Sequence, residues 1–254
     1  KDINKIILKE EYNKSKNLVN NKNALSVYEN KNLKVIFDVV NPTNKFLNNE
    51  LHSSTLSFEL SVDKEKIITN CGSLNIKYNT KPDYLRYSAA HSTVVLNNTN
   101  ISEIYEKRSF NRAPSKVLFK KNEDDKFLNW EASHDGYSKN FRKIVKRTIC
   151  INKKDTQLLG KDEIIAIGLK KDKLVFNSRF HLTPICKALL TRGKMSAIIK
   201  TNNSSYLFKT NYEISIEESI FVNDFNKIEK TSQIVISGFI NNSKKIISWS
   251  IEKY

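Results

Sequence analysis

The chain has 254 residues, 39% of them hydrophobic, enough for a packed core in one large all-β domain or two ordinary ones. Its 43 Lys and Arg against 27 Asp and Glu give a formal charge of +16, which favours an anionic partner: nucleic acid, an anionic membrane surface or an acidic polysaccharide. No run of about 18 apolar residues occurs, so a helical membrane span is excluded and a soluble chain is expected.

The opening Lys1-Asp2-Ile3-Asn4-Lys5 has neither an apolar signal segment nor an initiator Met, so the chain is expected to be a mature product or a piece of a longer protein. Much of the charge is dispersed among Lys- and Asn-rich stretches such as Asn20-Asn21-Lys22-Asn23, which reads as compositional bias rather than a patch. Residues 1–24, where Ile6, Ile7 and Leu8 adjoin a charged run, read as a lead-in. From Leu25 onward almost every segment is a short run of β-branched and aromatic residues bounded by Asn, Asp, Gly or Lys, the signature of strands. Leu33–Val39, Thr55–Val62 and Thr93–Leu96 come first. Ile164–Leu169, Leu174–Phe176, Ser196–Ile199 and Ser205–Phe208 follow, and Tyr212–Ile216, Gln233–Phe239 and Lys245–Ile251 close the series.

Within Thr55–Val62 the alternation is strict, placing Leu56, Phe58, Leu60 and Val62 on one buried face. The link Asp63-Lys64-Glu65-Lys66 leads into Ile67-Ile68 and predicts a β-hairpin. Strands this numerous, without a long linker or a solenoid repeat, predict an all-β fold: one large antiparallel β-sandwich over residues 25–254.

Cys71, Cys150 and Cys186 form no CxxC pair and are odd in number, so buried free thiols are expected rather than a zinc knuckle or a disulfide framework. Gly-rich phosphate loops, zinc-finger spacing and aromatic RNA-binding signatures are missing, so nucleic acid is not an expected partner despite the charge. The four histidines, His52, His91, His134 and His181, each sit in a polar or aromatic context that suits either a hydrogen-bonded structural residue or a ligand or base. In His134-Asp135-Gly136-Tyr137, the Asp-Gly pair predicts a tight turn with Gly at positive φ and Tyr137 opening the next strand. Arg179 and His181 alternate along a strand and so share a face, where they either line a groove or cap the sheet.

Several blocks occur in a fixed order: Thr55–Ser61 followed by Asn70-Cys71-Gly72, then Arg86-Tyr87-Ser88-Ala89-Ala90-His91-Ser92-Thr93, then Ser133–Tyr137 with Arg147. They continue through Arg179-Phe180-His181-Leu182-Thr183-Pro184, Ile216–Ile220 and Ser232–Gly238. This ordered set resembles the C-terminal β-domain of heparinase II/III-like polysaccharide lyases. The resemblance implies a two-domain parent, in which an N-terminal α/α toroid packs on the sandwich and an acidic polysaccharide lies between them. It implies β-elimination at a uronic acid, with the carboxylate neutralised, a base removing the C5 proton and an acid protonating the leaving oxygen. Because the toroid supplies part of that machinery, this chain alone is expected to be inactive. A cell-envelope or periplasmic location is implied as well.

By motif position the resemblance places a metal site, commonly zinc, at His52, Asn70 and His91, where Asn70 departs from the usual carboxylate. It also places catalysis at His52 and at Glu50, which stands where relatives carry a His. Hairpin arithmetic sets Asn70 near Glu59 rather than His52, so only the family resemblance, or a bulge, gathers the set. Arg86 and Arg147 are the expected contacts to uronate or sulfate, because a guanidinium fork meets such groups with two hydrogen bonds; Arg179 and His181 are candidates for the same groove. Glu50 and Asn70 leave room for a second reading, a non-catalytic carbohydrate-binding or structural module.

Overall fold

The computed structural model describes residues 25–42, 51–74, 83–104, 110–168, 173–240 and 244–254; the lead-in lies outside them. The first sheet holds β1 (Ser26–Glu29), β2 (Leu33–Phe37), β3 (Phe58–Val62), β4 (Glu65–Thr69), β5 (Val94–Leu96), β12 (Leu174–Leu182), β16 (Ile214–Val222) and β17 (Ile228–Ile240). Its order is β1-β2-β3-β4-β12-β17-β16, with β5 also paired to β12. The small ribbon of β6 (Glu103–Ile104) and β7 (Phe110–Arg112) stands apart.

The second sheet runs β13-β14-β15-β18-β11-β10-β9-β8. It contains β8 (Val117–Glu123), β9 (Phe127–His134), β10 (Lys143–Asn152), β11 (Gln157–Ala166), β13 (Lys187–Leu190), β14 (Ser196–Lys200), β15 (Ser205–Thr210) and β18 (Lys245–Lys253). All pairings are antiparallel, as expected for the predicted sandwich. No helix among the described residues is long and apolar enough to cross a membrane.

Period-2 patterning explains the layers. Leu33, Val35 and Phe37 on β2, Phe58, Leu60 and Val62 on β3, and Phe176 and Phe180 on β12 turn inward to meet Trp130, Ile149, Phe208 and Trp249 of the other sheet. Each large side chain buried this way contributes about 1.5–3 kcal/mol. Phe58 stacks on Trp249 with centroids 5.2 Å apart, and Phe37 stacks on Trp130 at 6.0 Å. Trp249 fits because its cross-strand partner is Gly160, where a Cβ would lie 2.0 Å from the indole. The three cysteines are free and buried, as expected.

Two local expectations are corrected. The strand expected from Thr55 starts only at Phe58, because Leu56 adopts φ 62° and bends the chain, although its side chain is buried with Phe58, Leu60 and Val62 as the alternation requires. Gly136 does not take positive φ, and Tyr137 precedes a helical turn, Ser138–Phe141, rather than a strand. Gly136 is needed for close approach instead: a Cβ there would sit 2.8 Å from the Ile101 side chain. Tyr137 is an interior prop whose hydroxyl donates to the Thr99 carbonyl at 3.0 Å.

Candidate functional site

Inward-facing residues on β3 and β12 oblige their neighbours Glu59, Arg179 and His181 to face outward, so chemistry gathers on the outer face of the first sheet. The β3–β4 hairpin turns at Asp63 and Lys64, both at positive φ (49° and 69°), and a register shift lies at Leu60/Ser61. Even with this irregularity the neighbour that hairpin arithmetic gives Asn70 is kept. Asn70, just past β4, does meet Glu59: its Nδ2 donates to Glu59 Oε1 at 3.3 Å, while its Oδ1 accepts the Ser92 N–H at 3.0 Å.

His52 arrives on the segment before β3. Arg86 fastens that segment by donating from Nε and Nη2 to the Leu51 carbonyl at 3.1 and 2.9 Å, and Ser53 Oγ meets Ser88 Oγ at 2.7 Å. His91 follows the short 3-10 turn Ser88–Ala90. The His52 and His91 rings lie 5.2 Å apart, centroid to centroid, nearly edge to face. Both line one cavity of about 360 Å³ together with Asn70, Glu59 and Asp38.

His91 is only 3% exposed, and neither ring nitrogen has a hydrogen-bond partner among the described residues. Burial, reinforced by His52 and His181, holds its pKa well below 6.5, so the ring is neutral near pH 7 and keeps a free lone pair. Asp38 across the cavity has its carboxyl pushed up by burial, against hydrogen bonds from Ser54 and the Val40 N–H.

A second cavity, of about 420 Å³, adjoins the first on the same face. Its polar centre is His181, whose Nε2 donates to the Ala89 carbonyl at 2.9 Å, leaving Nδ1 to accept from Ser219 Oγ at 2.7 Å. Cys71 Sγ lies 3.6 Å from the same Nδ1. Burial first, then Arg179, lowers the His181 pKa to about 4.

The structure thus brings His52, Asn70 and His91 together and sets His181 in the neighbouring cavity. Arg179 shares the outer face with His181, its Nη1 donating to Glu217 and Gln233. Glu50 lies outside the described residues. The two arginines expected at the glycan are corrected. Arg147 is 0% exposed between the sheets, its guanidinium bound to Asp162, Ser178 and the carbonyls of Leu56 and Ser92. Arg86 is 5% exposed and holds the His52 segment rather than reaching solvent. Their sequence context gave the residue type most suited to an anion, but the same fork satisfies buried carbonyls and a carboxylate equally well. Sequence reasoning missed Asp38, Glu59, Tyr84, Tyr87 and Ser219, which line the two cavities. Of these, Glu59 was legible as the outward residue of an alternating strand.

Two large antiparallel sheets with a histidine-lined cavity on one outer face make this a β-sandwich domain. The chain belongs to the heparinase II/III-like C-terminal family, whose model matches residues 21–250. Among solved structures it resembles heparan sulfate lyase HepC from Pedobacter heparinus, with TM-score 0.73, 13% identity and coverage of 92% of this chain and 35% of that one. The heparinase III BT4657 gene product gives TM-score 0.73 at 12% identity, covering 92% of this chain and 35% of that one, and a further heparinase III gives 0.63 at 13%, covering 91% and 37%. The chain spans about a third of the length of these structures. No curated protein matches it in sequence.

The family implies a metal, and the donor set can be tested against one. Among the described residues no three His, Cys, Asp or Glu are placed to hold an ion. Two imidazoles suit zinc in donor type, and the His91 nitrogens, without a partner among the described residues, are what a ligand residue would present, whereas the Asn70 amide oxygen is a neutral donor already taken by the Ser92 N–H. The set lacks the anionic charge that a carboxylate at position 70 would bring, which lowers the affinity expected of it.

Proposed function

We propose that this chain forms one wall of the cleft of a lyase that cleaves acidic, uronate-containing glycans by β-elimination. The observation that carries the reading is the neutral, unpartnered His91 ring set 5.2 Å from His52 in an open cavity. A neutral imidazole has the lone pair that proton abstraction or carboxylate positioning requires. His52 is the proposed acid or base, with Glu50, two positions earlier in the sequence, as a second candidate, and the His91 ring packs against His52 edge to face. Zinc, where bound, would be held by His52, Asn70 and His91 and would supply positive charge toward the uronate carboxylate; the acid or base role would then fall to Glu50 rather than His52.

An N-terminal α/α toroid completes the cleft in this proposal, so the chain alone is inactive, and the parent works in the cell envelope or periplasm. In the parent, His52→Ala should cut formation of the unsaturated uronate, followed by its ultraviolet absorbance, about a hundredfold or more. Unchanged turnover would remove His52 from the reaction. The second reading, a carbohydrate-binding module without catalysis, is favoured by one observation: the Asn70 amide is engaged by Ser92 and Glu59. Glycan binding by the parent with no eliminated product would select it.

A further inference from the structure

The 420 Å³ cavity beside the histidine pair is of small-molecule size, and the reaction proposed above does not use it. Its floor is small and apolar, made by Cys71, Ala90 and Ile220. At its rim Tyr84 and Tyr87 remain 46% and 41% exposed. The Tyr87 N–H bonds the Tyr84 carbonyl at 3.2 Å, so the two belong to one tight turn, and both residues line the cavity. Exposed aromatic faces over an apolar hollow are poorly served by water. The C–H bonds on one face of a pyranose carry slight positive charge and match the negative face of such rings.

Charge decides which sugar. The lining carries one acid and one base, Glu218 and Lys230, and so offers no net cation to a carboxylate or sulfate. Arg179, on the same face, already donates to Glu217 and Gln233. Hydroxyl groups, by contrast, find partners in Ser219, Glu218 and Lys230. Two chain segments lie between the cavities: Asn70 lines the first and Cys71 the second, His91 the first and Ala90 the second, so the two hollows are neighbours on either side of these segments.

We infer that this pocket is a subsite for one uncharged pyranose ring of the glycan, stacked on Tyr84 and Tyr87, next to the cavity that takes the acidic sugar. It rests on the proposal that the chain binds glycans. The pocket carries its own reporter, since Cys71 is a free thiol in its floor while Cys150 and Cys186 do not line it.

The test follows alkylation of Cys71 in the 254-residue chain by mass spectrometry, with the methyl glycoside of a neutral N-acetylhexosamine or of a uronic acid as ligand. At ten times its Kd the neutral glycoside should slow Cys71 about tenfold and leave Cys150 and Cys186 unchanged. Tyr84→Ala with Tyr87→Ala should abolish the protection, and His52→Ala should not. Chemical-shift changes at the Ala89 and Ala90 methyls give a second readout that does not depend on thiol reactivity. Absence of both effects, protection by the uronate alone, or protection that survives loss of both tyrosines would overturn the subsite. Loss of eliminase activity in the parent's His52→Ala variant, with Cys71 unshielded, would leave the lyase standing without the subsite. Shielding without any eliminase activity would do the reverse.

Discussion

Arg147→Met tests whether the outer face that carries His52 and His91 is built outward from a buried ion pair. Arg147 and Asp162 are both 0% exposed, joined through Nε–Oδ1 at 2.6 Å and Nη2–Oδ2 at 2.9 Å, and Nη1 donates to the carbonyls of Leu56 at 2.9 Å and Ser92 at 2.6 Å. Phe58, Phe180 and Trp249 enclose the guanidinium, so water cannot replace it. Removing one member of such a pair costs about 3–5 kcal/mol, because the other charge is left buried. Each orphaned carbonyl adds about 1–3 kcal/mol, and Leu56, held at φ 62°, loses a bond that offsets its conformational cost. A total on the order of 5 kcal/mol corresponds to a Tm lower by roughly 10–20 °C in a chain of this size. Urea unfolding followed by tryptophan emission reads it directly, since Trp249 Nε1 donates to Asp162 at 3.3 Å. Replacing both partners, Arg147→Met with Asp162→Leu, should recover much of the loss, because no charge is then stranded. A single variant within about 1 kcal/mol of the parent chain, or a double variant no more stable than the single, would refute the reasoning.

Asn70→Asp exchanges a donor to Glu59 for a like charge, so without metal the chain should lose about 1–2 kcal/mol, and with zinc it should gain more thermal stability than the unsubstituted chain. An equal zinc response in both would remove position 70 from the metal set. His134 is pushed down to about 3, chiefly by burial, and His181 to about 4, both from 6.5. Below 6.5 the unfolded chain therefore binds more protons than the folded one, and stability, fully present above 6.5, should fall as pH drops through that window. His134→Asn keeps an acceptor for the Gly136 N–H and should make this acid limb shallower in unfolding measured from pH 7 to about 4; an unchanged slope would discount His134.

The sandwich was legible because period-2 patterning in β2, β3 and β12 is dictated by burial on one face, and burial leaves a mark at every second residue. The histidine pair was legible only through the ordered motif blocks. His52 and His91 are 39 positions apart, and the loop-to-loop bonds that join them, such as Ser53 Oγ to Ser88 Oγ, use residue types common on any surface. Arg147 was misplaced for a related reason: a buried arginine and a ligand-binding arginine differ in surroundings contributed by distant strands. Its partners at Leu56, Ser92 and Ser178 stand far from it in sequence.

Why the segment Ser88-Ala89-Ala90-His91-Ser92-Thr93 is so rich in small polar residues follows from what it connects. Ser88 Oγ donates to the Ser53 carbonyl at 2.7 Å, and Thr93 Oγ1 donates to that of Thr55 at 2.9 Å, gripping the segment that follows His52 at two points. Ser92 Oγ donates to Thr69 at 2.7 Å and accepts the His181 N–H at 2.9 Å, tying in β4 and β12. Its carbonyl takes Arg147, which reaches across the core from β10. A longer side chain at Ser88 or Ser92 would leave these buried backbone groups unpaired, and Ala at either would remove a bond without supplying another. The backbone on either side of His91 is consequently fastened while its ring makes no hydrogen bond with the described residues, the condition under which an imidazole is both fixed in place and available to a ligand.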